Sequence, residues 1–339
     1  MNNILGQIGI IGNGSWGTAI AKILTDNNNK IYWWVRNEEA ITNLKSRNHN
    51  PHYLTSVRFL PETIIPTNNL EEVVNTCDTL IICIPSAYTQ SVLESIDLNQ
   101  LKGKNIVSAV KGVLPDSNLL LNDHLSQYDW FDLQKYVSIT GPCHAEEVAD
   151  ERISYLTLSG LNDDLTNSIA TSFKNTYIYT TANHDIWGAQ FAAVLKNVYA
   201  IGAGMAHALD YGDNFLSVYI TNCYREMYRF LNAHFSKFHP SDERPDFHTS
   251  AYLGDLLVTC YSLHSRNRML GTMLGKGYSV KNAILEMNMV AEGYYAARGM
   301  QAISKEIALD VPIAKAIYEV LWEGKSPAEM FLDLEITLS

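Results

Sequence analysis

Three short stretches of this chain hold residue types and spacings suited to a phosphorylated ligand. The first is Gly12-Asn13-Gly14-Ser15-Trp16-Gly17, a G-x-G-x-x-G turn that follows the apolar run Ile8–Ile11 and opens the helix-forming stretch Thr18–Leu24. Gly12 makes the tight turn, and Gly14 lets backbone N–H groups approach a pyrophosphate. Gly17 lets the helix pack closely on its strand. The helix N-terminus adds unpaired amides and the positive end of its dipole. Dinucleotide binding is the expectation. The second stretch, Ser265-Arg266-Asn267-Arg268, brings two guanidiniums and two small polar groups, a plausible grip for a phosphate. The third, Ser108-Ala109-Val110-Lys111-Gly112, places a lysine just past a buried strand, at the edge where ligands sit in open α/β sheets.

Two further segments refine this chemistry. The second strand, Ile31-Tyr32-Trp33-Trp34-Val35, is followed by Arg36. An acidic residue near this point accepts ribose hydroxyls in NAD-selective folds, whereas arginine accommodates a 2′-phosphate. Arg36 therefore favours NADPH over NADH, although Glu38 and Glu39 follow closely. Thr140-Gly141-Pro142-Cys143-His144-Ala145 has the composition of a tight turn that starts a helix. Taken singly, a surface lysine, a capped helix and a solvated basic turn would explain these segments.

The elements that must position these residues can be read from periodicity. Strand-like segments at Gln7–Ile11, Lys30–Val35, Thr79–Ile84, Asn105–Ala109, Tyr136–Ile139 and Ser154–Leu158 alternate with helical ones at Ser86–Ile96 and Ser117–Leu125. That rhythm predicts an α/β, Rossmann-type doubly wound sheet. From about Asp185 the pattern turns to long helices: Trp187–Leu209, Ser217–His234, Val280–Met287, Ala291–Glu306 and Pro312–Glu323. The first is rich in Ala and Gly, as suits a helix buried among close neighbours. Phe235–Thr249 reads as an exposed loop, and its His239 and His248 lack metal-ligand spacing, so no metal is expected.

At 339 residues the chain exceeds the size at which one core stops growing. We expect a dinucleotide-binding domain at 1–184 and an all-helical substrate domain at 185–339, with the active site in the cleft between them. Net charge is −11 and no basic run exists, which argues against a nucleic-acid partner. Five cysteines without C-x-x-C spacing fit reduced thiols in a cytoplasmic protein. The first strand begins within a few residues of Met1, which leaves no room for a signal peptide, and no apolar stretch reaches the length of a membrane span.

Together the motifs resemble one family. G-N-G-S-W-G-T-A, A-V-K-G, G-P-x-x-A, L-K-N-V-x-A-I-G-A-G, G-D-L-x-x-T, S-R-N-R and E-G run in order from Gly12 to Glu292. This is the pattern of the bacterial-type NAD(P)-dependent glycerol-3-phosphate dehydrogenases. The resemblance implies interconversion of dihydroxyacetone phosphate and sn-glycerol 3-phosphate by hydride transfer with NADP or NAD, a supply of glycerol 3-phosphate for phospholipid synthesis, and a homodimer. It makes Lys196 the proton donor or acceptor and brings Lys111 to both cofactor and substrate. Asp255 would orient Lys196. Gly141, Cys143, Asp255, Ser265, Arg266 and Asn267 would contact substrate. Ser15, Trp16, Arg36, Ala145, Val290 and Glu292 would line the dinucleotide with Gly12, Gly14 and Gly17, and Arg266 would be shared between the ligands.

This chain departs from the family at Cys143 and His144, where members usually carry a hydroxyl residue and then an aromatic. A thiol is a weaker hydrogen-bond partner than a hydroxyl. The stretch Phe230–Tyr252 is also unlike the family. Two rival readings remain at this point: a related dehydrogenase of hydroxy acids or sugar acids, and a nucleotide-binding regulator without turnover. The basicity of S-R-N-R disfavours the first, and the intact Lys111, Lys196, Asp255 and Arg266 disfavour the second.

Overall fold

The computed structural model describes residues 4–239, 243–287 and 289–339. The chain divides into two compact units, Met1–Val110 with Leu121–Ile186, and Lys111–Leu120 with Trp187–Ser339.

The first unit is an eight-stranded sheet: β1 Ile8–Ile11, β2 Ile31–Trp34, β3 Ile64–Thr67, β4 Thr79–Ile82, β5 Asn105–Ser108, β6 Tyr136–Thr140, β7 Ser154–Gly160 and β8 Ile178–Asn183. Its spatial order is β3-β2-β1-β4-β5-β6-β7-β8. The strands β1 to β6 pair in parallel, β7 runs antiparallel to β6, and β8 is parallel to β7. The helices are α1 Ser15–Asp26, α2 Glu38–Arg47, α3 Leu70–Thr76, α4 Ser86–Leu93, α5 Leu121–Leu125, α6 Ala145–Ala149 and α7 Asp163–Phe173. Strand order reverses at β1, which pairs with β2 on one side and β4 on the other. Ligands of open α/β sheets bind outside the carboxyl ends of the strands at this switch.

Six of the eight strands coincide with the apolar runs of the sequence, and the other two, β3 and β8, form the sheet's edges. Edge strands need no continuous apolar run, because one side faces solvent. In β3 the register pairs Trp33 with Pro66, a residue without an N–H that the edge tolerates. Most of β8 is exposed or half-buried.

The second unit is helical: α8 Ile186–Ala208, α9 Gly212–Phe238, α10 Asp255–Tyr261, α11 Arg266–Gly275, α12 Val280–Glu286, α13 Glu292–Glu306, α14 Pro312–Tyr318 and α15 Pro327–Glu335. Its core gathers on α8, whose residues from Ala192 to Ala206 are buried. A Cβ on Gly271 would stand 1.8 Å from the Ile201 carbonyl, so α11 meets α8 backbone to backbone. Val113 and Leu120, from the short excursion Lys111–Leu120, belong to this same core. The expected exposed loop is partly corrected: α9 continues through Phe238, and Phe247 is buried against Tyr252. An aromatic residue inside a polar sequence plugs the core. His239 and His248 lie here, and residues 240–242 fall outside the described residues.

One buried carboxylate makes this unit sensitive to pH. Glu226, on α9, accepts hydrogen bonds from the backbone N–H groups of Ile313 (2.7 Å) and Ala314 (2.9 Å) and from the Tyr199 hydroxyl (3.0 Å). Burial nevertheless outweighs these bonds and lifts its pKa from 4.5 to about 7. The folded chain therefore holds a proton here that the unfolded chain releases between those values. Stability from this group must fall as pH rises through that window, by about 3 kcal/mol in all. Glu226→Gln cannot titrate and loses an acceptor at the start of α14. Its destabilisation relative to the parent should be largest near pH 5 and shrink by pH 7.5 in urea unfolding. A pH-independent difference would contradict this assignment.

Candidate active site

In the first unit the glycine loop turns its carbonyls inward. Gly12 has φ +115°, its N–H donates to the Trp34 carbonyl, and its own carbonyl accepts from Trp33 Nε1 at 3.0 Å. The Asn13 carbonyl accepts from Asn50 Nδ2 at 2.9 Å, and the same amide reaches Thr18 Oγ1. Among the described residues, the N–H groups of Asn13 and Gly14 have no protein acceptor. A Cβ on Gly12 would come within 2.8 Å of the Cys83 carbonyl, and one on Gly17 within 2.3 Å of the Gly12 carbonyl. One on Gly14 would meet nothing within 4 Å. Packing therefore demands the first and third glycines but not the second. Open space over Gly14, outward amides and an α1 N-terminus without a side-chain cap form a cradle that fits a pyrophosphate.

Arg36 directly follows Val35 at the end of β2 and is exposed. The two acidic residues beside it are drawn elsewhere. Glu38 pairs with Asn68, and Glu39 lies 3.8 Å from His52. Asn37 caps α2 by accepting from the Glu39 N–H. At the other motif of this unit, Gly141 has φ +122°, and a Cβ there would stand 2.5 Å from the Tyr155 carbonyl. Cys143 is buried, and its thiol donates to that same carbonyl at 3.0 Å. The thiol thus ties the turn to β7. His144 is the N-cap of α6, which opens at the buried Ala145.

The second unit holds a buried ion pair. Lys196 lies in α8 and forms an ion pair with Asp255, the first residue of α10. Both are buried, the carboxylate down to 1% exposure. A π-helical turn, Ser250–Gly254, feeds α10 and sets its start. Because neither charge can be satisfied by bulk water, their geometry is tightly held. Ser265 caps α11 by accepting from the Arg268 N–H at 3.3 Å. Arg266, half-buried, is the first residue of that helix, and Asn267 and Arg268 are buried. Val290 precedes α13, and Glu292 is its first residue.

The structure adds a residue that the motifs alone did not single out. Asn197 donates from Nδ2 to the Lys111 carbonyl at 3.0 Å. Its Oδ1 accepts from Asn267 Nδ2 at 2.9 Å. Asn267 Oδ1 in turn accepts from the Gly293 N–H at 2.9 Å. The available signal was an amide inside an apolar helix, a buried polar group that must find partners. Among the described residues no group of three or more His, Cys, Asp or Glu side chains could hold a metal.

A chain that carries both a cradle fitting a pyrophosphate and a buried lysine–aspartate ion pair has groups that suit a dinucleotide-dependent dehydrogenase. Residues 7–166 match the NAD-dependent glycerol-3-phosphate dehydrogenase N-terminus, and residues 185–332 match the C-terminus of the same enzyme family. The chain belongs to that family. It is 31% identical over 329 residues to the glycerol-3-phosphate dehydrogenase [NAD(P)+] of Chlorobium limicola, covering 97% of each chain. It is 33% identical to the Lacticaseibacillus paracasei enzyme of that name, covering 97% of this chain and 94% of the relative. The crystal structure of glycerol-3-phosphate dehydrogenase from Coxiella burnetii superposes with a TM-score of 0.87 at 25% identity, covering 98% of this chain and 99% of the other.

Proposed function

We propose that this protein interconverts dihydroxyacetone phosphate and sn-glycerol 3-phosphate with NAD(P)H, and so supplies glycerol 3-phosphate for phospholipid synthesis. The observation that carries the reading is the buried Lys196–Asp255 pair in a chain of this family. When bound, the nicotinamide supplies or takes up the hydride. Lys196 handles the proton: its ammonium donates to the substrate oxygen in reduction, and its neutral amine accepts that proton in oxidation. Asp255 holds the amine in place through both directions. Arg266 with Ser265 and Asn267 at the start of α11 anchors the phosphate, so a non-reacting group positions a very small substrate. Lys111 adds positive charge toward both ligands. The Gly141–Cys143 turn would contribute through backbone groups, since the thiol is committed to Tyr155.

The cofactor would lie on Gly12, Gly14, Ser15, Trp16 and Gly17, with Ala145, Val290 and Glu292 as further contacts. Loss of NAD(P)H absorbance on adding dihydroxyacetone phosphate tests the reading directly, and a carboxylate keto acid serves as the rival substrate. Turnover of the keto acid alone would transfer the assignment to a hydroxy-acid dehydrogenase. A cytoplasmic setting is supported by five buried cysteines that lack C-x-x-C spacing, and a homodimer by family membership. Among the described residues no helix is long and apolar enough to cross a membrane.

Arg36 supports a preference for NADPH. A guanidinium pairs bidentately with a 2′-phosphate but meets only neutral hydroxyls in NADH. Its exposure keeps the discrimination modest, at most a few kcal/mol. Activity is expected with both cofactors, higher kcat/KM with NADPH, and a reversal in Arg36→Asp, which adds repulsion as well as removing attraction. An unchanged ratio would mean that another residue reads the ribose.

A further inference from the structure

The geometry points to Asn197 as a positioning residue that sets Lys111, Asn267 and the start of α13 as one unit, through a one-way relay of amide hydrogen bonds. The inference rests on the reading above, in which Lys111 and Asn267 touch substrate and Glu292 touches the dinucleotide. Two fixed backbone groups end the relay. The Lys111 carbonyl can only accept, and the Gly293 N–H can only donate. Asn197 must therefore aim its NH2 at Lys111 and its oxygen at Asn267, and Asn267 must aim its oxygen at Gly293. Neither amide can flip without placing like against like at both of its contacts. Both side chains are buried, Asn197 at 5% and Asn267 at 7% exposure, so a broken link is not repaired cheaply by water.

The relay joins segments far apart in sequence. Lys111 stands on the short excursion from the first unit, Asn267 on α11 and Gly293 on α13. Asn197 is the next residue after Lys196 on α8, so the proton-bearing amine and the relay share one rigid backbone. The remainder of the excursion is held by apolar packing of Val113 and by Arg298 Nη2, which donates to the Pro115 carbonyl at 3.1 Å. The Asn197 amide fastens the Lys111 backbone itself to α8. Moving that carbonyl moves the lysine relative to Lys196, and an ångström of misplacement costs about a hundredfold in rate at a reacting centre.

Asn197→Asp is the discriminating variant. It keeps the shape and the acceptor for Asn267, but turns an oxygen against the Lys111 carbonyl. kcat and KM for dihydroxyacetone phosphate, NAD(P)H affinity by fluorescence, and melting temperature are measured in Asn197→Asp, Lys111→Ala and the double variant. The expected result is a fall of about tenfold to a hundredfold in kcat/KM for Asn197→Asp, and little further fall when it is added to Lys111→Ala. A purely structural asparagine would lower the melting temperature and multiply the loss equally in both backgrounds, which overturns the proposal. Asn197→Ser provides the same cycle if the aspartate does not fold, and failure of both to fold also overturns it. Parent protein inactive on dihydroxyacetone phosphate would instead refute the substrate assignment, a result visible before any variant is made.

Discussion

Lys196→Ala is expected to lower turnover by roughly a hundredfold or more, the weight of a general acid–base group, while NAD(P)H binding stays nearly intact. The complication is physical. Asp255 is 1% exposed and Lys196 is its ion-pair partner. Truncating the lysine leaves a carboxylate buried without its cation, which costs about 3–5 kcal/mol of stability. A loss of activity could then reflect unfolding alone. Adding Asp255→Asn removes the stranded charge and should recover much of the stability without recovering turnover. Steady-state rates and melting curves on the single and double variants separate the two effects. Turnover near the parental value in a folded Lys196→Ala protein would remove the lysine from the chemistry.

Arg266→Ala should act mainly on substrate. A charge-assisted hydrogen bond to phosphate is worth about 1.5–3 kcal/mol, so KM for dihydroxyacetone phosphate should rise roughly tenfold to a hundredfold. Inhibition by inorganic phosphate should weaken in parallel, because in the proposed site both anions would use the same seat at the start of α11. Cofactor affinity should also fall if Arg266 is shared between the ligands. Wild-type affinity for the substrate would move the anchor away from Arg266, with Arg268 the other cation of the same turn.

The sequence made most of this legible where chemistry and packing coincide. Gly12 and Gly17 are forced by close backbone approach, and their spacing announces the loop. The apolar strands β1 and β4 are buried on both faces, so their positions follow from composition alone. What escaped lies where local pattern carries no signal. The strands β3 and β8 are edges, and Pro66 within β3 reads as a break. Phe247 sits in a polar stretch yet plugs the core. The thiol of Cys143 is turned to the Tyr155 carbonyl, a direction that residue identity cannot give. The Asn197 relay joins residues 86 and 70 positions apart, a relation set entirely by the tertiary fold.

The excursion at Lys111–Leu120 makes the two units inseparable as blocks of gene. The backbone passes from one unit to the other after Val110, returns after Leu120, and leaves again after Ile186. A single crossover near residue 185, the natural place to join halves of two related dehydrogenases, would import a helical half without its own ten-residue insert. The recipient core would then receive foreign side chains where Val113 and Leu120 belong, and Arg298 would face a foreign backbone in place of the Pro115 carbonyl. Recombination that preserves function has to exchange 111–120 together with 187–339, or neither. In this architecture the inherited module is discontinuous in sequence, and drift in the short insert is yoked to drift in helices that begin only at Ile186.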